Sequence, residues 1–277
     1  MLRERVSDDI YVFTSELYAQ VTAGVVVGPA GAALIDTLTF PAETLEILDF
    51  VQDKLGVPLR YVINTHYHAD HTSGTCLVKG AEVISHAACR RLLDTAGRAG
   101  LQTAKSQTLE LGRVEIALPE TLMTGGCINL HLGKKTLELT PSAGHSPDLI
   151  TVLVKEDRIL FASDTVMPIP HFVDGSLDDL RRSLEIIPAL GLENIVQGHG
   201  EIILRGEIDE AIKSNIRYLD LLRRKVENLV KRGKSRESAR AIEIEDCGKS
   251  RISLGGLAAQ LHSANALALY DRLAAAA

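Results

Sequence analysis

Residues 61–75 read YVINTHYHADHTSGT, an apolar strand-like run followed at once by a dense group of side chains that can bind metal ions. His66, His68, Asp70 and His71 occupy four of six consecutive positions. Alternate residues of an extended segment point the same way, so His66 and His68 can share one metal ion while Asp70 and His71 face a second. The segment therefore predicts one loop that contributes ligands to two metal ions.

Three more residues of the same kind follow later strand-like runs. His145 lies in SAGHSPD, Asp164 in FASDT and His199 in QGHGE. Small residues surround each of them, which leaves room for a metal ion to approach the backbone. We therefore expect these three side chains to complete the metal site.

Strand and helix patterns alternate along the first 200 residues. Residues 41–56 carry apolar side chains at helical spacing after Pro41, and residues 176–190 form a second helical pattern. Strands are predicted within residues 10–34 and at 59–64, 81–85, 135–142, 149–156, 158–165 and 193–200. This alternation predicts an α/β fold.

The pattern changes after Gly206. From Ile208 onward, apolar residues recur every three or four positions over about seven turns, which is typical of a long amphipathic helix. Two further helical segments are predicted, from Arg236 to Cys247 and from Leu257 to Leu273. We therefore predict a catalytic domain of residues 1–205 and a C-terminal helical extension of residues 206–277.

The composition excludes several classes of protein. With 45% hydrophobic and 24% charged residues the chain is a folded globular protein, and its net charge of −6 gives no basic surface for nucleic acid. The four cysteines form no C-x-x-C pair. The first residues are rich in charge, without the apolar core of a secretory signal, and no segment has the composition of a membrane span. We expect a cytoplasmic protein that acts on a small-molecule substrate without membrane or nucleic-acid partners; the long helix leaves pairing with a second chain open.

The histidine-rich segment and the three later residues resemble the metallo-β-lactamase fold superfamily over roughly residues 10–205. This resemblance implies a four-layer αββα sandwich and a hydrolase related to glyoxalase II and the lactonases. It implies a binuclear centre with two zinc ions per chain, iron and manganese being the other metals considered. By position, the first metal would be bound by His66, His68 and His145, the second by Asp70, His71 and His199, and Asp164 would bridge both.

Such a site implies hydrolysis. Two divalent ions about 3.5–4 Å apart hold a bridging hydroxide, which attacks an ester-type carbonyl. A thioester or a lactone is the first expectation for the substrate. The catalytic residues would be Asp164, which sets the metal spacing, and Asp70, as proton acceptor. True β-lactamases of this fold lack an Asp at the bridging position, so Asp164 leaves β-lactam hydrolysis only as a side activity.

Two alternatives stay open. The persulfide dioxygenases share the string HADH and use a single non-haem iron held by the equivalents of His66, His145 and Asp164. A metal-bearing binding protein without catalytic activity is the other alternative, which the complete set of ligands argues against.

Two residues outside the ligand set are candidates for supporting roles. Asp36, in LIDT, either orients a ligand histidine or caps a turn. His171 lies in the proline-rich segment MPIPHF, which we expect to overhang the metals, so a substrate contact is considered beside a structural role. His86, His131 and His262 are expected to be structural.

Overall fold

The computed structural model describes residues 1–276, and within this range thirteen strands form two sheets. The first sheet has the order β1-β2-β3-β4-β5-β6-β7 and the second the order β13-β12-β11-β10-β9-β8. The strands of the first sheet are β1 (Leu2–Ser7), β2 (Ile10–Thr14), β3 (Thr22–Gly28), β4 (Gly31–Ile35), β5 (Leu59–Ile63), β6 (Glu82–His86) and β7 (Thr121–Met123). Those of the second are β8 (Ile128–Leu132), β9 (Lys135–Pro141), β10 (Ile150–Val154), β11 (Ile159–Ser163), β12 (Asn194–Gln197) and β13 (Ile203–Leu204).

The two sheets pack face to face because their central strands are apolar on both sides. In β11, Phe161 packs among residues of the first sheet, whereas Leu160 and Ala162 face the opposite side and pack against helices. In β4, Ile35 points between the sheets and Leu34 points outward. Successive strand residues point to opposite faces, so a strand covered on both faces has a continuous apolar sequence rather than an alternating one.

Helices cover both outer faces. Helix α1 (Pro41–Asp49), which continues as a π-helical turn over Phe50–Leu55, packs on the first sheet through Ile47 and Phe50. The second sheet is covered by α5 (Leu177–Ile186), α6 (Ile208–Lys231) and α8 (Leu257–Ala275). The remaining helices are α2 (Ala69–Thr72), α3 (Ala87–Leu92), α4 (Arg98–Gln107) and α7 (Arg236–Arg240). The predicted four-layer αββα sandwich with C-terminal helices is confirmed.

The C-terminal helices share a core with the second sheet. Tyr218 of α6 and Leu269 of α8 lie in one buried cluster with Leu160 of β11 and Phe172, which follows β11. The expected boundary at residue 206 falls in the short connection between β13 and α6. The division into two domains stays a prediction.

Some local expectations were wrong. The helix expected from Arg236 to Cys247 ends at Arg240, and a 3-10 turn over Glu245–Cys247 follows, because the chain bends to bury Ile244 and Cys247. Strand β8, which carries His131, was not among the predicted strands. Strand β1 was not predicted because its sequence is charged and half exposed. It forms a strand because it pairs with β2.

Among the described residues, no helix has the length and apolarity needed to cross a membrane.

Candidate metal centre

The predicted ligands meet at the ends of four strands. His66 and His68 lie in the loop after β5, and Asp70 and His71 lie on the short helix α2 that follows. The later residues lie after other strands: His145 after β9, Asp164 after β11 and His199 after β12. Loops at the same edge of packed sheets converge, as is usual for sites in α/β folds.

Four of these side chains form a first cluster, comprising His66, His68, His145 and Asp164. The Nδ1 atom of His68 lies 3.0 Å from Nε2 of His66 and 2.9 Å from Nε2 of His145. The Oδ2 atom of Asp164 lies 3.2 Å from Nε2 of His145. Three imidazoles and one carboxylate are ligands that suit zinc and other transition metals.

The other three side chains form a second cluster. The Oδ2 atom of Asp70 lies 3.3 Å from Nε2 of His199 and 3.9 Å from Nε2 of His71. Asp164 lies between the two clusters, with Oδ1 3.2 Å from Nε2 of His71 and Oδ2 3.6 Å from Nε2 of His199. One carboxylate is therefore within reach of both groups.

The residues fit divalent metal ions. The Nε2 atom of His71 and the Oδ1 atom of Asp164 are buried and lie 3.2 Å apart, yet neither makes a hydrogen bond to the other or to any other described residue. Buried polar atoms are rarely left unpaired unless water or an ion completes them. The imidazole nitrogens and carboxylate oxygens of each cluster lie within 4.8 Å of one another, close enough to surround one ion.

The second nitrogen of each imidazole is engaged by the protein. The Nδ1 atoms of His145 and His199 donate to backbone carbonyls, those of His171 and Ala19, each at 2.9 Å. A ring nitrogen that donates to a carbonyl carries the proton, which leaves Nε2 with a free lone pair for a metal. In the other three imidazoles the second nitrogen contacts a side chain: Nδ1 of His71 contacts Asp36, Nε2 of His68 contacts Asp174 and Nδ1 of His66 contacts Thr65.

Carboxylates dominate the electrostatics of the second cluster. Burial lowers the pKa of His71, but the carboxylates of Asp164, Asp36 and Asp70 outweigh it and hold that pKa well above its ordinary value. Burial also lowers the pKa of His199, but the carboxylates of Asp164 and Asp70 outweigh it and raise that pKa to about 10. The site therefore attracts positive charge, which bound cations supply in place of protons.

Asp36 lies beneath the second cluster. Its Oδ2 atom accepts a hydrogen bond from Nδ1 of His71 at 2.8 Å, and its two carboxylate oxygens accept from the backbone N–H and the hydroxyl of Thr65. This contact is the geometry that the first of the two predicted roles, orienting a histidine, requires, and the role of Asp36 itself stays a prediction.

His171 lies beside the first cluster. Its backbone carbonyl accepts from His145, and the two rings lie 5.7 Å apart between centroids. Burial lowers the pKa of the His171 imidazole. Its predicted contact with substrate stays a prediction.

Several partners of the ligands were not predicted from the sequence. Asp174, whose Oδ2 lies 3.0 Å from Nε2 of His68, reads in the sequence as part of an Asp-Gly turn. The backbone carbonyls of Ala19 and His171 have no signature in any sequence. Gly198 is also essential to the geometry, since a Cβ at this position would lie 1.8 Å from Oδ1 of Asp164.

Comparison with known proteins agrees with this architecture. A sequence model described as the Metallo-beta-lactamase superfamily matches residues 18–199. The chain is 25% identical over 164 residues to Thioesterase pkgB of Emericella nidulans, covering 59% of this chain and 41% of that protein. It is 26% identical over 171 residues to the hydroxyacylglutathione hydrolase of Methylococcus capsulatus, covering 61% and 57% respectively.

A solved structure extends the similarity to the C-terminal helices. The stereoselective inverting sec-alkylsulfatase Pisa1 from a Pseudomonas species superposes with a TM-score of 0.76 at 16% identity. The alignment covers 98% of this chain and 50% of that one. This chain thus spans about half the length of the relatives it matches, and at this identity the structural likeness concerns the fold.

Proposed function

This chain belongs to the metallo-beta-lactamase superfamily, and from that premise we propose that it is a dinuclear zinc hydrolase that cleaves a thioester or a lactone. The superfamily and the Asp and His clusters indicate a metal-dependent hydrolase. The position of Asp164 carries the proposal of two ions, because its carboxylate lies within 3.2 Å of Nε2 of both His145 and His71, one in each cluster.

Two bound zinc ions would supply a nucleophile at neutral pH and would polarise the scissile carbonyl. His66, His68 and His145 would hold one ion, Asp70, His71 and His199 the other, and Asp164 would contact both. The hydrogen bonds to the second ring nitrogens keep these imidazoles in place, so the ligands need little rearrangement to bind metal.

Asp70 is the residue we assign to proton transfer. Burial raises its pKa, but the adjacent imidazoles of His71 and His199 outweigh this effect and hold the pKa below its ordinary range, so Asp70 is a carboxylate at neutral pH. Its side chain is 19% exposed, whereas that of His71 is fully buried. Asp70 therefore lies on the solvent side of the second cluster, where it can accept a proton as the substrate is attacked.

The relatives support an acyl substrate. Two of them are named as a thioesterase and as hydroxyacylglutathione hydrolase, and both names describe cleavage of a carboxylic acyl group. We propose that the present chain also acts on a small acyl compound, with a thioester tested before a lactone.

Metal analysis combined with a hydrolysis panel tests this function. Protein purified without added metal is expected to contain about two zinc ions per chain and to cleave a thioester or a lactone in a panel that also holds simple esters, phosphodiesters and β-lactams. One iron per chain with oxygen-dependent turnover of a persulfide would instead establish the mononuclear iron oxidoreductase. Metal content with no activity on any of these compounds would favour a binding protein.

The control variant for this panel is Asp164→Ala. Loss of the carboxylate shared by the two clusters is expected to reduce metal content below two ions and to abolish turnover. Wild-type rates in Asp164→Ala would refute the proposed site.

A further inference from the structure

The loop between β11 and α5, residues 164–176, orients two ligands of the first cluster. The backbone carbonyl of His171 accepts from Nδ1 of His145 at 2.9 Å, and the carboxylate of Asp174 lies 3.0 Å from Nε2 of His68. The loop also packs tightly against the residues around His145, since a Cβ on Gly175 would lie 2.0 Å from the carbonyl oxygen of Gly144. Whatever holds this loop in place therefore also holds two metal ligands.

Helix α8 of the C-terminal extension supplies the groups that hold the loop. Asn265 is fully buried, and its amide makes two bonds that bracket His171 in the chain. Its Oδ1 accepts from the backbone N–H of Phe172 at 3.1 Å, and its Nδ2 donates to the carbonyl of Pro170 at 2.7 Å. The backbone on both sides of the His171 carbonyl is thus attached to α8.

Arg272 attaches the next part of the loop. It lies seven residues after Asn265, which places both side chains on one face of the helix. Its guanidinium donates to the carbonyl of Val173 at 2.6 Å and to that of Phe172 at 3.4 Å. These carbonyls immediately precede Asp174, the partner of His68.

Asn265 is itself held in one orientation. Its Nδ2 also donates to the hydroxyl of Tyr218 on α6 at 3.2 Å. Because Nε2 of His262 donates to the carbonyl of Ile242, Nδ1 of that ring accepts the Tyr218 proton at 3.0 Å. His262 therefore has both nitrogens satisfied inside the extension, as expected for a structural histidine.

We propose that Asn265 and Arg272 are positioning residues for the first metal cluster, and that the C-terminal helices set its affinity through the loop. The inference rests on the proposed function only in that the first cluster binds a divalent ion. It predicts a defect confined to that cluster, because His71 and His199 are oriented by Asp36 and Ala19, which belong to the first sheet and its connections.

The decisive variant is Arg272→Ala, with Asp271→Ala as its matched control. Asp271 is the preceding residue of the same helix, and its carboxylate pairs with Arg236 of α7 at 2.8 Å instead of contacting the loop. Metal-free full-length proteins are titrated with Co²⁺ and followed by visible absorption in competition with a chelator. In Arg272→Ala we expect one of the two ions to bind several-fold more weakly, because Arg272 acts on His68 through Asp174, and loss of a group that bonds a ligand directly costs about 10- to 100-fold. Asp271→Ala is expected to match the wild type.

Three further variants assign the defect to the loop. Arg272→Lys is expected to recover part of the affinity, because an ammonium group can still donate to the Val173 carbonyl. Asp174→Ala should weaken the same ion, and its effect should be less than additive with that of Arg272→Ala, since both act on His68. Asn265→Ala, checked by circular dichroism for a folded state, should weaken the same ion as well.

The outcomes separate this inference from the proposed function. A wild type that binds no metal defeats the proposed function and this inference with it. A wild type that binds two ions, with a folded Arg272→Ala that binds both at wild-type affinity or loses affinity for both equally, defeats this inference alone.

Discussion

Asp36 and His71 are joined by a hydrogen bond of 2.8 Å between Oδ2 and Nδ1, beneath the second cluster. Both side chains are almost completely buried, and Asp36 adopts a left-handed backbone conformation with φ of 56° at the end of β4. A non-glycine residue in this region is strained, and such strain is often kept where function needs the geometry. The Asp36 carboxylate thus holds the His71 ring with Nε2 facing the clusters.

We predict that Asp36→Ala weakens binding of the second metal ion by about 10- to 100-fold, because the His71 ring loses the group that orients it. Isothermal titration of metal-free protein measures this change. Asp36→Asn is the companion variant, since it keeps the shape of the side chain and should lose less affinity. Binding of two ions at wild-type affinity by Asp36→Ala would show that the hydrogen bond has no role in the site.

Gly198→Ala should disturb both clusters together. The added Cβ would lie 1.8 Å from Oδ1 of Asp164, so this carboxylate must move away from its place between the clusters. We expect a loss of bound metal, measured by elemental analysis, and a matching loss of activity. Gly206→Ala is the control, because a Cβ there would meet no atom of residues 1–276 within 4 Å. If Gly198→Ala retains two metal ions per chain, the close contact is relieved without cost to the site.

Tyr218→Phe should destabilise the C-terminal helices. The change leaves Nδ1 of His262 without its donor and removes one acceptor of Asn265. The loss of a buried partner costs about 1–3 kcal/mol, which urea denaturation can measure. Tyr270→Phe removes an exposed bond to the Lys234 carbonyl and should cost less. Equal costs for the two variants would contradict the importance of the buried network.

The contribution of Lys249 to the free energy of unfolding should rise with pH in a window set by its two pKa values. Burial lowers the pKa of this lysine to about 8 from an ordinary value of 10.5, and its Nζ donates to Oδ1 of Asn215. Between these two values the unfolded chain binds the proton more tightly than the folded chain, so the contribution of Lys249 to folding becomes more favourable as pH rises from 8 to 10.5.

Lys249→Met removes this dependence. The difference in unfolding free energy between the wild type and this variant should therefore move in favour of the wild type as pH rises from 8 to 10.5, and should be constant from pH 6 to 7. Lys213→Met, at an exposed position of α6, is measured in parallel as the control. A difference that stays constant up to pH 10.5 would contradict the lowered pKa of Lys249.

Much of the fold can be predicted from the sequence because the patterns that specify its helices and strands are local. The apolar spacing that begins at Ile208 predicts the long helix, and α6 begins at that residue. The apolar run at residues 159–162 contributes to the strand predicted at 158–165, and β11 spans Ile159–Ser163. Strand β1 is specified by its pairing with β2, which is a contact with another segment, and its own sequence pattern does not predict a strand.

The sequence by itself determined the chemistry of the ligands: the group from His66 to His71, and the small residues that mark His145, Asp164 and His199 as members of a site. Only the tertiary structure decided which atoms face one another and what orients them. The carbonyls of Ala19 and His171, the carboxylate of Asp174 and the supporting groups of Asn265 and Arg272 come from segments far apart in the chain. A backbone carbonyl has no residue type to mark it, and a hydrogen bond between distant segments exists only once packing has brought them within 3 Å.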